Sequence, residues 1–194
     1  MIKGTTKITG VFGFPVSHSL SPIFQNAGFE FLSLDIIYIP FEVNPKFLKK
    51  AIESIRILNF MGINLTIPHK KLAYSFVNEL DEEAKLLKVV NTIKNEDGKL
   101  IGYTTDGKGF VRSIKEDGKT DLKGKNVYLI GAGGASWAIS GCLIKENIKY
   151  LFITNRTFER GNALKKHLKK IFNFHNIEII PFENRNDINF DEID

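Results

Sequence analysis

The chain has 194 residues, 43% hydrophobic and 25% charged, enough for one large or two small packed domains and too apolar for a disordered tail. A single cysteine excludes a disulfide framework, four scattered histidines leave no metal-ligand constellation, and no apolar run is long enough to cross a bilayer or follows Met1 as a signal segment, so a reducing cytoplasm is expected and membrane insertion is not. The net charge of +5 is local: residues 156–175 carry six bases against one acid and residues 176–194 six acids against one base, a solvated helix face rather than a nucleic-acid surface.

In chain order, residues 8–14 read as a strand closed by Pro15. After Ser17-His18-Ser19, Ser21 is the expected N-cap of a helix with Pro22 at its first position, where a missing N–H is no loss. Residues 36–41 read as a second strand. Asn44-Pro45 repeats the cap-and-proline signal, and Phe47, Leu48, Ala51, Ile52 and Ile55 fall on one face of the helix that follows. Residues 62–67, closed by Pro68, form a third strand, so strands alternate with helices as in a parallel or mixed sheet covered on both faces. Segments 89–94 and 100–104 flank Asn95-Glu96-Asp97-Gly98, whose Asp-Gly pair accepts the positive φ values of a hairpin turn. From Asp106-Gly107 a helical run passes through Phe110, Val111 and Ile114 to a polar break at 116–121. The expected fold class is α/β, with a mixed-sheet domain over residues 1–105 and a second domain over 106–194.

The second domain opens as βαβ. Its strand Asn126-Val127-Tyr128-Leu129-Ile130 runs into Gly131-Ala132-Gly133-Gly134-Ala135, then a helix through Ala138, Ile139, Cys142 and Leu143, and a strand at 151–154. A helix at 158–171 and a strand at 177–180 follow. Glycines in a strand-to-helix turn let backbone N–H groups approach a pyrophosphate, and the helix start favours the anion. Gly131 and Gly133 fill the first two positions of Gly-x-Gly-x-x-Gly/Ala, Ser136 stands at the third, and Gly134 is an additional small residue. A structural tight turn is the alternative use of such glycines. At the end of the next strand an NAD site usually carries Asp or Glu for the ribose. Here Asn155-Arg156-Thr157, with Arg160 one turn on, offers donors and positive charge, which favours NADP.

The first domain has polar clusters where strands end. Ser19 and Ser21 adjoin His18; Asn64, Thr66 and Lys70 surround Pro68; Asn91, Thr105 and Asp106 lie on or after the hairpin. Such groups suit a small polyhydroxylated substrate. Lys70 and Asp106 are the pair chosen to handle a proton, a surface ion pair being the other reading of them, and His18 and His69 read as local hydrogen-bonding residues.

At these residues the sequence resembles the shikimate dehydrogenase family. The resemblance is carried by Phe12-Gly13-Phe14-Pro15-Val16-Ser17-His18-Ser19-Leu20-Ser21-Pro22, Gly62-Ile63-Asn64-Leu65-Thr66-Ile67-Pro68-His69-Lys70, Val90-Asn91-Thr92, Thr105-Asp106-Gly107, the glycine turn and Asn155-Arg156-Thr157. It implies an N-terminal substrate domain, a Rossmann-like NADP domain, and reversible reduction of 3-dehydroshikimate to shikimate by NADPH. Under it, Ser19 and Ser21 hold the substrate carboxylate, Asn64, Thr66, Asn91 and Asp106 bind ring oxygens, and Lys70, with Asp106, is catalytic. Gly131 to Ala135 cradle the pyrophosphate, and Asn155, Arg156, Thr157 and Arg160 take the 2′-phosphate. Two positions depart from the family pattern: Thr104 stands where Asn is common and Trp137 where Arg is common. The pattern also continues beyond residue 194, so the NADP domain is expected to be C-terminally truncated, and low stability, self-association through its exposed sheet, as a homodimer or otherwise, or a requirement for the absent piece is the expected consequence. A quinate/shikimate dehydrogenase and a noncatalytic binding module are the alternatives.

Overall fold

The computed structural model describes residues 2–185 together with 189 and 193. The chain divides into two compact units, Met1–Thr104 and Thr105–Asp194.

The first unit is built on six strands: β1 (Lys7–Gly13), β2 (Ile36–Glu42), β3 (Gly62–Leu65), β4 (Glu79–Leu80), β5 (Thr92–Glu96) and β6 (Lys99–Tyr103), in spatial order β2-β1-β3-β5-β6-β4. β1 runs parallel to β2 and β3, whereas β5 is antiparallel to β3 and β6, so the sheet is mixed. Helices α1 (Ser21–Phe31), α2 (Leu48–Ile57) and α3 (Glu82–Leu87) connect the strands.

Period-two alternation sorts the strand residues onto two faces. Phe12, Ile63, Leu65 and Ile93 join Leu48, Ile52 and Ile55 of α2 in the main core, while Val11 and Tyr38 join Val16, which follows β1, and Phe29 of α1 in a smaller cluster. Each of the three α2 side chains is completely buried and contributes roughly 1.5–3 kcal/mol of transfer free energy. Phe47, expected on that face, is 54% exposed. It lies in the 3₁₀ turn Pro45–Phe47 that precedes α2, where three residues per turn rotate it off the α-helical stripe. The Asn44 carboxamide caps that turn by accepting from the Lys46 N–H at 3.1 Å. The hairpin closes on Asp97 and Gly98 with φ of 50° and 88°, the pair of positive values that a two-residue turn between twisted strands requires.

Among its described residues the second unit has three parallel strands in the order β7 (Asn126–Ile130), β8 (Tyr150–Asn155) and β9 (Ile177–Pro181). Helices α4 (Asp106–Glu116), α5 (Gly134–Lys145) and α6 (Phe158–Phe172) pack with them. α5 buries most of its surface, because α4 and α6 both lie against it. The approach of α4 depends on Gly107: a Cβ there would stand 2.4 Å from the Ala138 carbonyl oxygen and 2.5 Å from the Cys142 sulfur. Trp137 is 7% exposed and its ring lies 4.7 Å from that of His167, so it is a core aromatic between α5 and α6.

Candidate functional site

The polar residues singled out in the first unit gather beyond the C-terminal ends of β1 and β3. The Ser19 hydroxyl accepts from the Ser21 N–H at 3.3 Å. Ser21 is therefore not the N-cap: Leu20 occupies that position, Ser21 is the first helical residue and Pro22 the second. The offset carries no hydrogen-bond penalty, because the second N–H of a helix is also without an intrahelical partner. Thr66 N–H donates to the Phe12 carbonyl at 3.0 Å, and the Thr66 carbonyl in turn accepts from His69 N–H at 2.8 Å. Lys70 is joined to the start of β5 by its carbonyl, which accepts from Val90 N–H at 2.8 Å, while the neighbouring Asn91 carbonyl accepts from Leu65 N–H at 2.7 Å. These backbone bonds bring Asn64, Thr66, Lys70 and Asn91 together. Asp106 belongs to the second unit, where it opens α4 at the end of the helix that favours a carboxylate.

His69, read as a local hydrogen-bonding residue, turns its ring toward the Val43 and Gly13 carbonyls. It is completely buried, and neither ring nitrogen has a hydrogen-bond partner of proper geometry. Burial holds its pKa below the ordinary value, and the Gly13 and Val43 carbonyls facing it offset part of that effect.

One residue of this neighbourhood, Tyr38, lies outside the motif runs. Tyr38 on β2 donates its phenolic proton to Asn64 Oδ1 at 2.8 Å, reaching across β1. Asn64 Nδ2 donates to Thr92 Oγ1 at 3.0 Å, and Thr92 Oγ1 donates to Asn91 Oδ1 at 3.2 Å. Burial pushes the Tyr38 phenol up to about 12, with the adjacent Ser21 hydroxyl the smaller, opposing influence. Asn26 of α1 fixes the Tyr38 backbone from the sheet edge. Its Oδ1 accepts from Tyr38 N–H at 2.8 Å, and its Nδ2 donates to the Tyr38 carbonyl at 2.9 Å and to the Pro22 carbonyl at 2.7 Å. The strand alternation that puts Tyr38 on the face of Val11 was the available clue.

In the second unit, Gly131 sits at φ 113°, a left-handed conformation that a side chain would strain. Its N–H donates to the Thr154 carbonyl at 2.7 Å, and the buried Ala132 N–H donates to Asn155 Oδ1 at 3.1 Å. Asn155 also donates through Nδ2 to the Thr157 carbonyl at 2.7 Å, so its amide first braces the turn against the end of β8. Gly133 is exposed at the N-cap of the twelve-residue α5, with open space where a Cβ would stand. Gly134, Ala135 and Ser136 then present the first amides of the helix, which lack intrahelical partners. Arg156, Thr157 and Arg160 are exposed at the end of β8, the strand adjacent to β7. An open glycine approach, a helix N-terminus and two nearby guanidinium groups fit a dinucleotide bearing an additional phosphate. Among the described residues no group of His, Cys, Asp and Glu could hold a metal ion, and no helix is long and apolar enough to cross a membrane.

A parallel sheet whose first strand enters a helix through such a turn defines a Rossmann-like nucleotide-binding unit, here in a chain whose other unit is a mixed six-stranded sheet. Residues 11–93 match the family model described as shikimate dehydrogenase substrate binding domain, and residues 113–190 match shikimate / quinate 5-dehydrogenase. The NADP(+) shikimate dehydrogenase of Methanosphaera stadtmanae is 42% identical over the whole chain, which covers 68% of that protein. That of Desulforamulus reducens is 45% identical over 167 residues, 86% of this chain and 57% of the relative. A shikimate dehydrogenase crystallised in complex with NADP+ superposes with a TM-score of 0.90 at 39% identity, over 100% of this chain and 66% of its own. The chain belongs to the shikimate dehydrogenase family. It spans between 57% and 68% of the length of these relatives.

Proposed function

We propose that this chain supplies the substrate site and the glycine-turn part of the cofactor site of an NADP-dependent shikimate dehydrogenase, which interconverts 3-dehydroshikimate and shikimate. The observation that supports this is the backbone lacing of the Lys70 loop to the residues just before β5, which brings the main chain of Lys70 to Val90 and that of Leu65 to Asn91. On this reading Ser19 and Ser21 hold the substrate carboxylate through their hydroxyls, and the amide and hydroxyl groups of Asn64, Thr66 and Asn91 fix the ring oxygens. Lys70 gives its Nζ proton to the alkoxide that develops at C3, and the Asp106 carboxylate favours the charged ammonium and binds a ring hydroxyl. NADPH, when bound, supplies the hydride. Gly131, Ala132, Gly133, Gly134 and Ala135 present backbone to its pyrophosphate, while Asn155, Arg156, Thr157 and Arg160 select the 2′-phosphate.

Residues 1–105 thus form the substrate domain and residues 106–194 part of the cofactor domain, in a cytoplasmic enzyme. Self-association as a homodimer through the exposed sheet is the further part of the proposal, supported by Ile130, which is largely exposed at the end of the edge strand β7. Oxidation of NADPH with 3-dehydroshikimate, compared in the wild type and Lys70→Ala, tests the catalytic assignment. The substitution is expected to lower kcat by about 10²–10⁴, the usual worth of a positioned acid–base group, with little change in KM. A Lys70→Ala protein that turns over at the wild-type rate would remove Lys70 from the mechanism.

A further inference from the structure

We propose that Tyr38 is a positioning residue for substrate recognition, a single buried donor that sets the amide orientations of both Asn64 and Asn91. The inference rests on the proposed function only for the identity of the ligand; the relay itself is a feature of the first unit.

A carboxamide can be turned over with little change of shape, exchanging its acceptor for its donors, so the way Asn64 faces is decided by its partners. The Tyr38 phenol is buried and stays protonated far above neutral pH, so its proton is always available. With the Ser21 hydroxyl also beside the phenol oxygen, the phenol proton is directed to Asn64 Oδ1 at 2.8 Å. Asn64 must then present its Nδ2 to Thr92 Oγ1 at 3.0 Å. Having accepted that bond, the Thr92 hydroxyl donates onward to Asn91 Oδ1 at 3.2 Å. Every link therefore points the same way, and the donor face of each asparagine is fixed without either having to choose. Tyr38 is itself held rigid, because Asn26 bonds both its N–H and its carbonyl. The result is a site in which residues from α1, β2, β3 and β5 share one hydrogen-bond order before any substrate arrives, an arrangement that lowers the cost of ordering on binding.

Tyr38→Phe removes one oxygen atom and keeps the ring, so the core packing is retained. In isotope-labelled, ligand-free protein, the side-chain amide signals of both Asn64 and Asn91 are expected to shift, although Asn91 does not touch Tyr38. Thr92→Val cuts the same chain one step later, outside the Tyr38 cluster, and is expected to move the Asn91 signal as well. In steady-state kinetics Tyr38→Phe should raise the shikimate KM about tenfold, with kcat within about threefold and NADP+ affinity unchanged. The double variant should be little worse than either single one, since the two changes break one chain. An Asn91 signal unmoved by Tyr38→Phe overturns the relay, as does an unchanged KM or a uniform loss of kcat and cofactor affinity. If the wild type neither binds nor turns over shikimate, it is the proposed function that fails, and the amide spectra still decide the relay.

Discussion

His69 is the residue through which acid should most directly weaken the first unit. His69 lies in the loop that carries Lys70, its ring is completely buried, and burial lowers its folded-state pKa below the ordinary 6.5. Above that value the ring is neutral in both folded and unfolded chains and contributes no pH dependence. As the pH falls through it, the unfolded chain takes up a proton that the folded one refuses, so stability declines until the lowered folded-state pKa is passed. Denaturation followed by urea should show this decline below about pH 6.5, and His69→Phe should flatten it; an unchanged slope in the variant would assign the loss to other groups. The residue types of the substrate cluster are legible in the sequence, because Ser19, Ser21, Asn64, Thr66, Lys70 and Asn91 sit in recognisable runs. Tyr38 is not, since what makes it matter is a contact across the intervening β1 with Asn64, 26 positions away, and Thr92, though it closes the Val90-Asn91-Thr92 run, shows nothing there of its cross-strand bond to Asn64. Strand alternation assigns a face but not the order of strands.

The elements with local punctuation could be read in advance, and those fixed by tertiary packing could not. The β5–β6 hairpin follows from Asp97-Gly98, and the Asn44-Pro45 signal marks the helical turn leading into α2. β4 is two residues long and α3 six, too short for either to show a period. Asp81, whose side chain accepts from Ala84 N–H at 2.7 Å, followed by Glu82 and Glu83, was the signal for α3. In the nucleotide unit the strand–turn–helix order is local, yet the bracing of the turn by Asn155 links positions 23 residues apart. This division of labour, with Asn155 shaping the turn and the arginines facing solvent, separates two effects. Replacing Arg156 and Arg160 together by Ala should weaken NADP+ binding about tenfold or more while NAD+ binding changes little, as loss of charge-assisted bonds to a 2′-phosphate requires. Fluorescence titration with both nucleotides measures this. Equal loss for both would place the two arginines elsewhere than at the 2′-phosphate.

At the scale of the whole molecule, a chain that first suggests one or two ordinary domains is a mixed-sheet unit joined to a three-stranded parallel unit, and it covers about two-thirds or less of the relatives' length. Substrate recognition is proposed to be assembled in the first unit, before any cofactor is involved. Calorimetric titration of shikimate into the wild-type chain and into Asn91→Ala tests that claim most directly. One saturable site is predicted for the wild type, weakened about tenfold or more in the variant by loss of a buried, oriented amide. Absence of saturable binding to the wild type, or equal affinity in Asn91→Ala, would contradict it.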